Sequence, residues 1–215
     1  MSLPSFLWAG ELMQAFLLIC GSFLLGSLPF SVWVARWVSG TDLRRVGSRN
    51  PGATNVLRVA GAGPAALALI FDVAKGALPV VAAARLESGE MTMAFAAVAA
   101  IAGHVVSPFL GLRGGKGVAT AAGALLVLSP LATAAGLVAF MAVVTWTRYV
   151  SLGSIVAALI IACWGTLSIA AGKDGRTAVL ATMIIALVVL LRHVPNVKRL
   201  FTGEEPRLGQ KVKQA

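Results

Sequence analysis

Residues 118–146 read VATAAGALLVLSPLATAAGLVAFMAVVTW, one apolar run with a Ser129-Pro130 pair near its middle. How that pair is read decides the fold. About 20 apolar residues cross a bilayer core as a helix. The other candidate runs are Leu12–Val38 (interrupted by Gly26-Ser27-Leu28-Pro29), Ala62–Ala84, Met91–Leu110, Leu152–Ala171 and Thr177–Leu191. Taken as one helix, 118–146 makes six crossings. If the polar segment Ser39–Ala60 is cytoplasmic, six crossings leave Arg148 and the basic tail from Lys198 to Lys213 outside. A split at Ser129-Pro130, where proline favours a break, gives a short helix over Val118–Leu128 and a second over Leu131–Trp146. Every basic loop then faces the cytoplasm, leaving only Arg85, Lys173 and Arg176 outside, in keeping with the positive-inside bias. The sequence therefore predicts an all-α, polytopic integral membrane protein of seven transmembrane helices in a single domain over 1–215. Its N-terminus is periplasmic and its C-terminus cytoplasmic. The short helix has about half the residues of a full crossing, so it enters the membrane partway. Such a geometry is tolerated only where it is buried in protein or lines a wet cavity.

Composition agrees. Of 215 residues, 58% are hydrophobic and 12% charged, against about 25% charged in soluble domains. The net charge of +10 comes from cations that punctuate apolar runs instead of forming one polar face, which argues against nucleic acid and for a lipid bilayer. It also makes one side of the membrane attractive to anionic substrates. Cys20 and Cys163 lie within apolar stretches, so neither a disulfide framework nor a metal-ligand spacing is expected. Met1–Ala9 lacks a basic segment and Glu11 precedes the apolar run, unlike a cleaved signal peptide.

The polar loops share glycine, small hydroxyl and amide residues, and cations. Loop one runs from Gly47 through Ser48, Arg49, Asn50, Pro51, Gly52, Ala53, Thr54 and Asn55 to Arg58. Its glycines let backbone N–H groups approach a phosphate, its Ser, Thr and Asn add neutral donors, and Arg58 can grip a phosphate bidentately. A turn followed by a helix capped by Thr54 or Asn55 accounts for the same residues. Loop two runs from Gly103-His104 to Arg113-Gly114-Gly115-Lys116-Gly117 and opens the short helix, a ready anion site. It is not a Walker A loop, because Leu110 stands where that motif needs glycine. A Lys116 snorkelling to the interface is the plainer alternative, and a lone His104 is more often a satisfied buried histidine than a reactive one. Loop three, Arg148 to Ser154, includes Ser151 and reads equally as a helix start. In the tail, His193 and Asn196 share a face if the helix continues past Pro195, and the basic residues around them can anchor lipid head groups. Asp72 and Lys75 lie inside a span at i, i+3, where charges are costly and paired or functional. A mutual ion pair supporting the loops is the favoured reading.

In order, Gly26–Phe30, Gly47–Arg58, Asp72–Gly76, Gly103–Thr120, Arg148–Ser154 and Arg192–Glu205 resemble the bacterial acyl-phosphate glycerol-3-phosphate acyltransferase family (PlsY) over nearly the whole chain. Two segments depart from it. The family usually has Gly-Ser-Gly-Asn-Ile or Val where Gly47-Ser48-Arg49-Asn50-Pro51 stands, and often lysine where Arg113 stands. The resemblance implies transfer of a fatty acyl group from acyl phosphate to the sn-1 hydroxyl of glycerol 3-phosphate, at a cytoplasm-facing site in the bacterial inner membrane. Ser48, Arg58, Lys116, His193 and Asn196 would be catalytic. Asn50, Thr54, Asn55, His104, Gly114, Gly115, Gly117, Ser151, Ser154 and Glu205 would bind or shape substrates. The implied partners are the two substrates, the bilayer and an enzyme supplying acyl phosphate.

Acyl phosphate brings its own leaving group, so the protein must hold two phosphates together and stabilise charge. Phe109 stands five residues after His104 and Lys198 five after His193, so neither histidine has the His-x4-Asp pair of other glycerolipid acyltransferases. A substrate phosphate is the expected proton acceptor. No metal or other cofactor is expected, since the motifs lack a carboxylate cluster suited to magnesium. The rival reading is a transporter of an organic phosphate, in which broken helices also point at anions; the absence of paired repeats counts against it.

Overall fold

The computed structural model describes residues 5–171 and 175–210; Lys173, Lys211 and Lys213 lie outside the described residues. Every regular element described is helical: α1 (Ser5–Ser27), α2 (Phe30–Ser39), α3 (Ala53–Ala60), α4 (Ala62–Arg85), α5 (Gly89–Val105), a 3-10 turn (Pro108–Leu110), α6 (Val118–Leu128), α7 (Pro130–Thr147), α8 (Val150–Ala171), α9 (Arg176–Arg192) and α10 (Val194–Phe201). Five stretches are long and apolar enough to cross a membrane: Gly10–Ser39, Ala62–Arg85, Gly89–Leu110, Pro130–Thr147 and Val150–Ala170. The pair α9 and α10, bent by 47°, makes a sixth. The break expected at Ser129-Pro130 is present, with Pro130 opening α7.

Loop one departs from the capped-turn reading, and the tail takes one of the two courses left open by the sequence. Loop one contains the helix α3, whose N-cap is Gly52 with no side-chain cap, so neither Thr54 nor Asn55 plays that part. In the tail the chain bends at His193 and continues as α10. Pro195 sits in its first turn, where a missing N–H costs nothing.

The half-length α6 is buried in protein. Ala121, Ala124 and Leu125 pack with Val80, Ala97, Ile101 and Ile185 in the central apolar cluster. Glycine sets how closely its neighbours approach. A methyl group on Gly76 would overlap the Thr120 carbonyl, and one on Gly123 the Val73 carbonyl, so α4 and α6 touch backbone to backbone. The crossing of α1 and α5 repeats the device, with Gly26 against Ala100 O and Gly103 against Phe23 O. Small residues at such crossings replace the hydrophobic drive that lipid removes.

Between α1 and α2, Pro29 interrupts the helix and frees the Leu28 carbonyl. Lys75 Nζ donates to it at 2.8 Å and lies 2.9 Å from Asp72 Oδ1, while Ser31 Oγ donates to Asp72 Oδ2 at 2.5 Å. Asp72 and Lys75 are each 2% exposed. The ion pair read from the sequence thus stitches α4 to the broken first span.

The helices end in two different layers. At one end Gln14 Nε2 donates to Ser88 Oγ at 3.2 Å and Ala178 N to Glu90 Oε1 at 2.8 Å. At the other, loops one to three and the tail meet. Arg192 reaches Gly114, Arg58 reaches Pro206, and Leu208 N donates to Arg148 O at 2.7 Å.

Candidate active site

Loop one is folded around Asn55, which is 1% exposed. Its Nδ2 donates to Leu43 O and Val46 O, both at 3.1 Å, and its Oδ1 accepts from Ser48 N at 3.0 Å. Those bonds face into the loop, so Asn55 shapes it. Gly47, at φ 63°, lies so close to Asn55 Oδ1 that no Cβ fits. Arg49 takes φ 56°, the left-handed conformation for which glycine is suited. Ser48 is exposed, with Asn50 and Thr54 half-buried beside it. One α-helical turn past Thr54, Arg58 on α3 is half-buried. Its Nη2 donates to Pro206 O at 3.3 Å, and its Nε is buried without a partner.

Loop two uses its glycines differently from the sequence reading. Gly114 N donates to Val105 O at 3.0 Å and Gly115 N to His104 O at 3.1 Å, so neither N–H is free for a phosphate. A Cβ on Gly114 would overlap His104 O, and one on Gly115 would overlap His104 Nε2 and lie 2.6 Å from Pro51 O. These two glycines permit close packing of the loop on His104 and Pro51. Gly117 alone of the Gly-Gly-Lys-Gly residues has positive φ, 77°, where it starts α6. His104 lies beneath the loop, 8% exposed, with Nδ1 3.2 Å from Thr120 Oγ1. Its ring faces Thr120 and Gly115, so it supports the loop from beneath. A small polar cavity lined by Ser27, Asp72, Lys75, His104, Ser107 and Gly115 separates it from the buried ion pair.

Over this loop come α9, α10 and the tail. His193 is 1% exposed, and its Nδ1 lies 2.8 Å from Val189 O. A carbonyl only accepts, so Nδ1 carries the proton and the neutral ring keeps its lone pair on Nε2. Asn196 Nδ2 donates to Glu205 Oε1 at 2.7 Å, Arg199 Nε donates to Oε2 at 2.8 Å, and Asn196 Oδ1 is buried without a partner. Ser154 Oγ donates to Val150 O of its own helix at 2.9 Å. Ser151 Oγ sits near Glu205 but lacks hydrogen-bond geometry and is unpartnered.

The electrostatics join these parts. Burial drives the Lys116 ammonium down to about 8; Glu205 opposes the shift, and Arg199, Arg58 and Arg192 add to it. Burial likewise lowers Arg58, against Glu205 and with Arg199. For Glu205, burial raises the pKa, but nearby Ser151, Asn196 and Arg199 together hold the carboxyl below its usual range. Arg58, Lys116 and Arg199 thus share a single carboxylate, Glu205. Buried polar atoms are nearly always hydrogen-bonded, yet Arg58 Nε, Ser151 Oγ and Asn196 Oδ1 are not. Arg58 Nε calls for an acceptor and Asn196 Oδ1 for a donor, while the surplus of cations favours an anion. Among the described residues no three His, Cys, Asp or Glu side chains converge as metal ligands.

One residue escaped the sequence reading. Arg192 donates from Nε to Gly115 O at 3.2 Å and from Nη2 to Gly114 O at 3.0 Å. A cation at the end of an apolar helix is indistinguishable in sequence from an interfacial anchor.

Residues 16–203 match the family model described as glycerol-3-phosphate acyltransferase. The chain is 43% identical over 203 residues to the glycerol-3-phosphate acyltransferase of Synechococcus sp. (strain CC9902), covering 94% of this chain and 99% of that one. It is 43% identical to the protein of the same description from Halalkalibacterium halodurans, covering 91% and 96%. Among solved structures it is similar to the crystal structure of PlsY, an integral membrane glycerol 3-phosphate acyltransferase, in its glycerol 3-phosphate form (TM-score 0.83, 34% identity, 91% of this chain and 96% of that one). The lysophosphatidic acid form of that enzyme matches with TM-score 0.80 and 32% identity over the same shares.

Proposed function

The chain belongs to the glycerol-3-phosphate acyltransferase family, and from that premise we propose that it moves a fatty acyl group from acyl phosphate to the sn-1 hydroxyl of glycerol 3-phosphate. The products are lysophosphatidic acid and inorganic phosphate. The observation that carries this reading is the collection of Arg58, Lys116, His193, Asn196 and Glu205 at one end of an apolar bundle, with more cations than carboxylates and buried polar atoms left unpartnered.

In the reaction the acceptor hydroxyl oxygen bonds to the acyl carbonyl carbon, and the bond from that carbon to the phosphate oxygen breaks. Inorganic phosphate leaves, and the hydroxyl proton passes to a substrate phosphate oxygen. Lys116 and Arg58 hold the two anions against their mutual repulsion. His193 Nε2, fixed by the Nδ1 contact to Val189, accepts from the non-reacting hydroxyl of the polyol and so orients the substrate, leaving the proton of the reacting hydroxyl to the phosphate. Asn196 and Ser151 offer their unpartnered oxygens to the polyol, and Ser48 and Thr54 line the rim. Gly117 gives the turn that aims Lys116, and Glu205 fixes Asn196 and Arg199. Ser154 marks the floor of the site.

The bundle is best read as one transmembrane domain with seven membrane-entering helices: the broken first span, α4, α5, the half-length α6, α7, α8 and α9. With α6 counted, the basic end lies on one side, and the positive-inside bias places that side in the cytoplasm of a bacterial inner membrane. An enzyme making acyl phosphate is the natural supplier of the donor.

The test uses purified protein in detergent micelles, where no gradient exists. Phosphate release that requires both acyl phosphate and glycerol 3-phosphate, with lysophosphatidic acid formed in equal amount, supports the reading. Release from acyl phosphate alone, or no turnover beside flux of glycerol 3-phosphate into vesicles, overturns it. Replacement of His193 by Ala separates orientation from general-base catalysis; a loss near 10⁴-fold, the top of the usual range for a general base, with binding intact, would assign the proton to the imidazole.

A further inference from the structure

We infer that Arg192 is a positioning residue for acyl transfer: its guanidinium fork holds the carbonyls of Gly114 and Gly115 and so fixes the distance between Lys116 on loop two and His193 on α9. The inference rests on the proposed reaction, because it concerns how the two halves of that site are kept in register.

Two successive carbonyls receive two donors of the same guanidinium, Nη2 to Gly114 O at 3.0 Å and Nε to Gly115 O at 3.2 Å. The N–H groups of the same glycines donate the other way, to Val105 O and His104 O at 3.0 and 3.1 Å. Loop two is therefore gripped on both faces, by α5 beneath and by the end of α9 above. Neither grip alone sets where Lys116 stands relative to His193. The α5 bonds relate the loop to its own preceding helix. Among the described residues the Arg192 bonds are the hydrogen bonds that tie loop two directly to α9, the helix that leads into His193, the next residue in the chain; α5 and α9 otherwise meet through apolar packing.

The donors that Arg192 spends on the loop also say what it is not. With Nε and Nη2 directed at backbone carbonyls, the fork is turned to the loop, so its part is geometry and not a direct grip on substrate. Lysine cannot copy it: an ammonium is a point donor on a flexible stem, whereas the guanidinium presents two donors at fixed spacing and so meets both carbonyls at once. The position of the loop matters because a displacement of about 1 Å between reacting groups can cost on the order of 10²-fold in rate.

The experiment measures steady-state kinetics of Arg192→Ala and Arg192→Lys in detergent with both substrates varied, each variant first checked by thermal unfolding. The expected result is a loss of roughly 10²-fold in kcat/KM for each variant, carried by kcat as well as KM. Millimolar guanidinium, but not methylammonium, then restores activity to Arg192→Ala. Should Arg192→Ala fail to fold, Arg192→Lys keeps the charge and stem and carries the kinetic arm alone. Full activity in Arg192→Lys would overturn the inference, since charge alone would suffice. Equal rescue by methylammonium would do the same, as would a change in KM for one substrate with kcat untouched, the mark of a direct ligand. Failure of the reaction itself would be separate: the wild-type enzyme would then show no release of phosphate dependent on both substrates.

Discussion

Two buried groups of charges lie on either side of loop two and behave oppositely. Beneath it, Asp72 and Lys75 are one anion and one cation at 2.9 Å, tied to Ser31 and to the carbonyl freed by Pro29. Above it, Arg58, Lys116 and Arg199 face Glu205, and Arg58 Nε, Ser151 Oγ and Asn196 Oδ1 have no hydrogen-bond partner. The lower group is closed in charge, one cation to one anion, although Asp72 Oδ1 has only its ion pair with Lys75 and no hydrogen bond, and it holds helices together. The upper group carries an excess of cations, which in the proposed reading the substrate phosphates complete. Burial of charge by itself does not mark a site; the imbalance does.

The sharpest break would come from unbalancing the lower pair. Lys75→Met strands a buried carboxylate and is expected to cost about 3–5 kcal/mol of stability, read as earlier thermal unfolding in micelles. Asp72→Asn combined with Lys75→Met should recover most of that loss. A single replacement without consequence would mean the lower group is not closed after all.

In the upper group the same surgery should act on rate instead. Lys116→Ala is expected to lower kcat/KM by about 10²–10³-fold while the unliganded protein unfolds no earlier, since an unneutralised cation has been removed. A fall in stability comparable to that of Lys75→Met would erase the distinction.

The depressed Lys116 ammonium adds a smaller, pH-dependent effect. With a pKa of about 8 in the folded protein, Lys116 is charged below that pH and loses its grip on phosphate above it. Because kcat/KM reports the free enzyme, it should fall with an alkaline limb near pH 8, and Lys116→Arg should move that limb to higher pH. Stability runs the other way. The unfolded chain binds the extra proton between about pH 8 and the ordinary value of 10.5, so the substrate-free protein grows more stable as pH rises through that window. The two titrations should share their lower midpoint.

The smallest effect belongs to the rim. Arg49→Gly removes a left-handed strain worth about 1–2 kcal/mol and loses about 0.4–1 kcal/mol through a looser unfolded chain. A net gain of roughly 0.5 kcal/mol in thermal stability is expected, with activity unchanged; a loss of activity would promote the Arg49 side chain from the rim to the site.

Much of this was legible in the sequence, for physical reasons. Hydropathy located the spans because lipid demands it, and Ser129-Pro130 located the break because proline cannot continue a ladder. The pairing of Asp72 with Lys75 followed from the cost of lone charges in a membrane. What escaped was direction. Gly114 and Gly115 stood in a glycine-rich turn at a helix start, but residue type does not say that their N–H groups turn back to α5 or that their missing side chains make room for His104. Nor does an amide's residue type say whether the bonds of Asn55 run into its own loop. Arg192 was counted among interfacial cations because its two acceptors lie 77 and 78 residues away. The helices α3 and α10 are each 8 residues long, too short for a hydropathy window to separate from loop.

The reciprocal notches at Gly26 with Gly103 and at Gly76 with Gly123 bear on how the protein meets membranes of different thickness. Helices joined through side chains can slide past one another when the bilayer thins or swells. Helices seated backbone on backbone cannot slide without collision, so a mismatch has to be taken up by tilting α1 with α5, and α4 with α6, as coupled units, or by deforming the surrounding lipid. Loops one and two hang from those units. Their spacing is therefore insulated from the lipid composition in which the enzyme works.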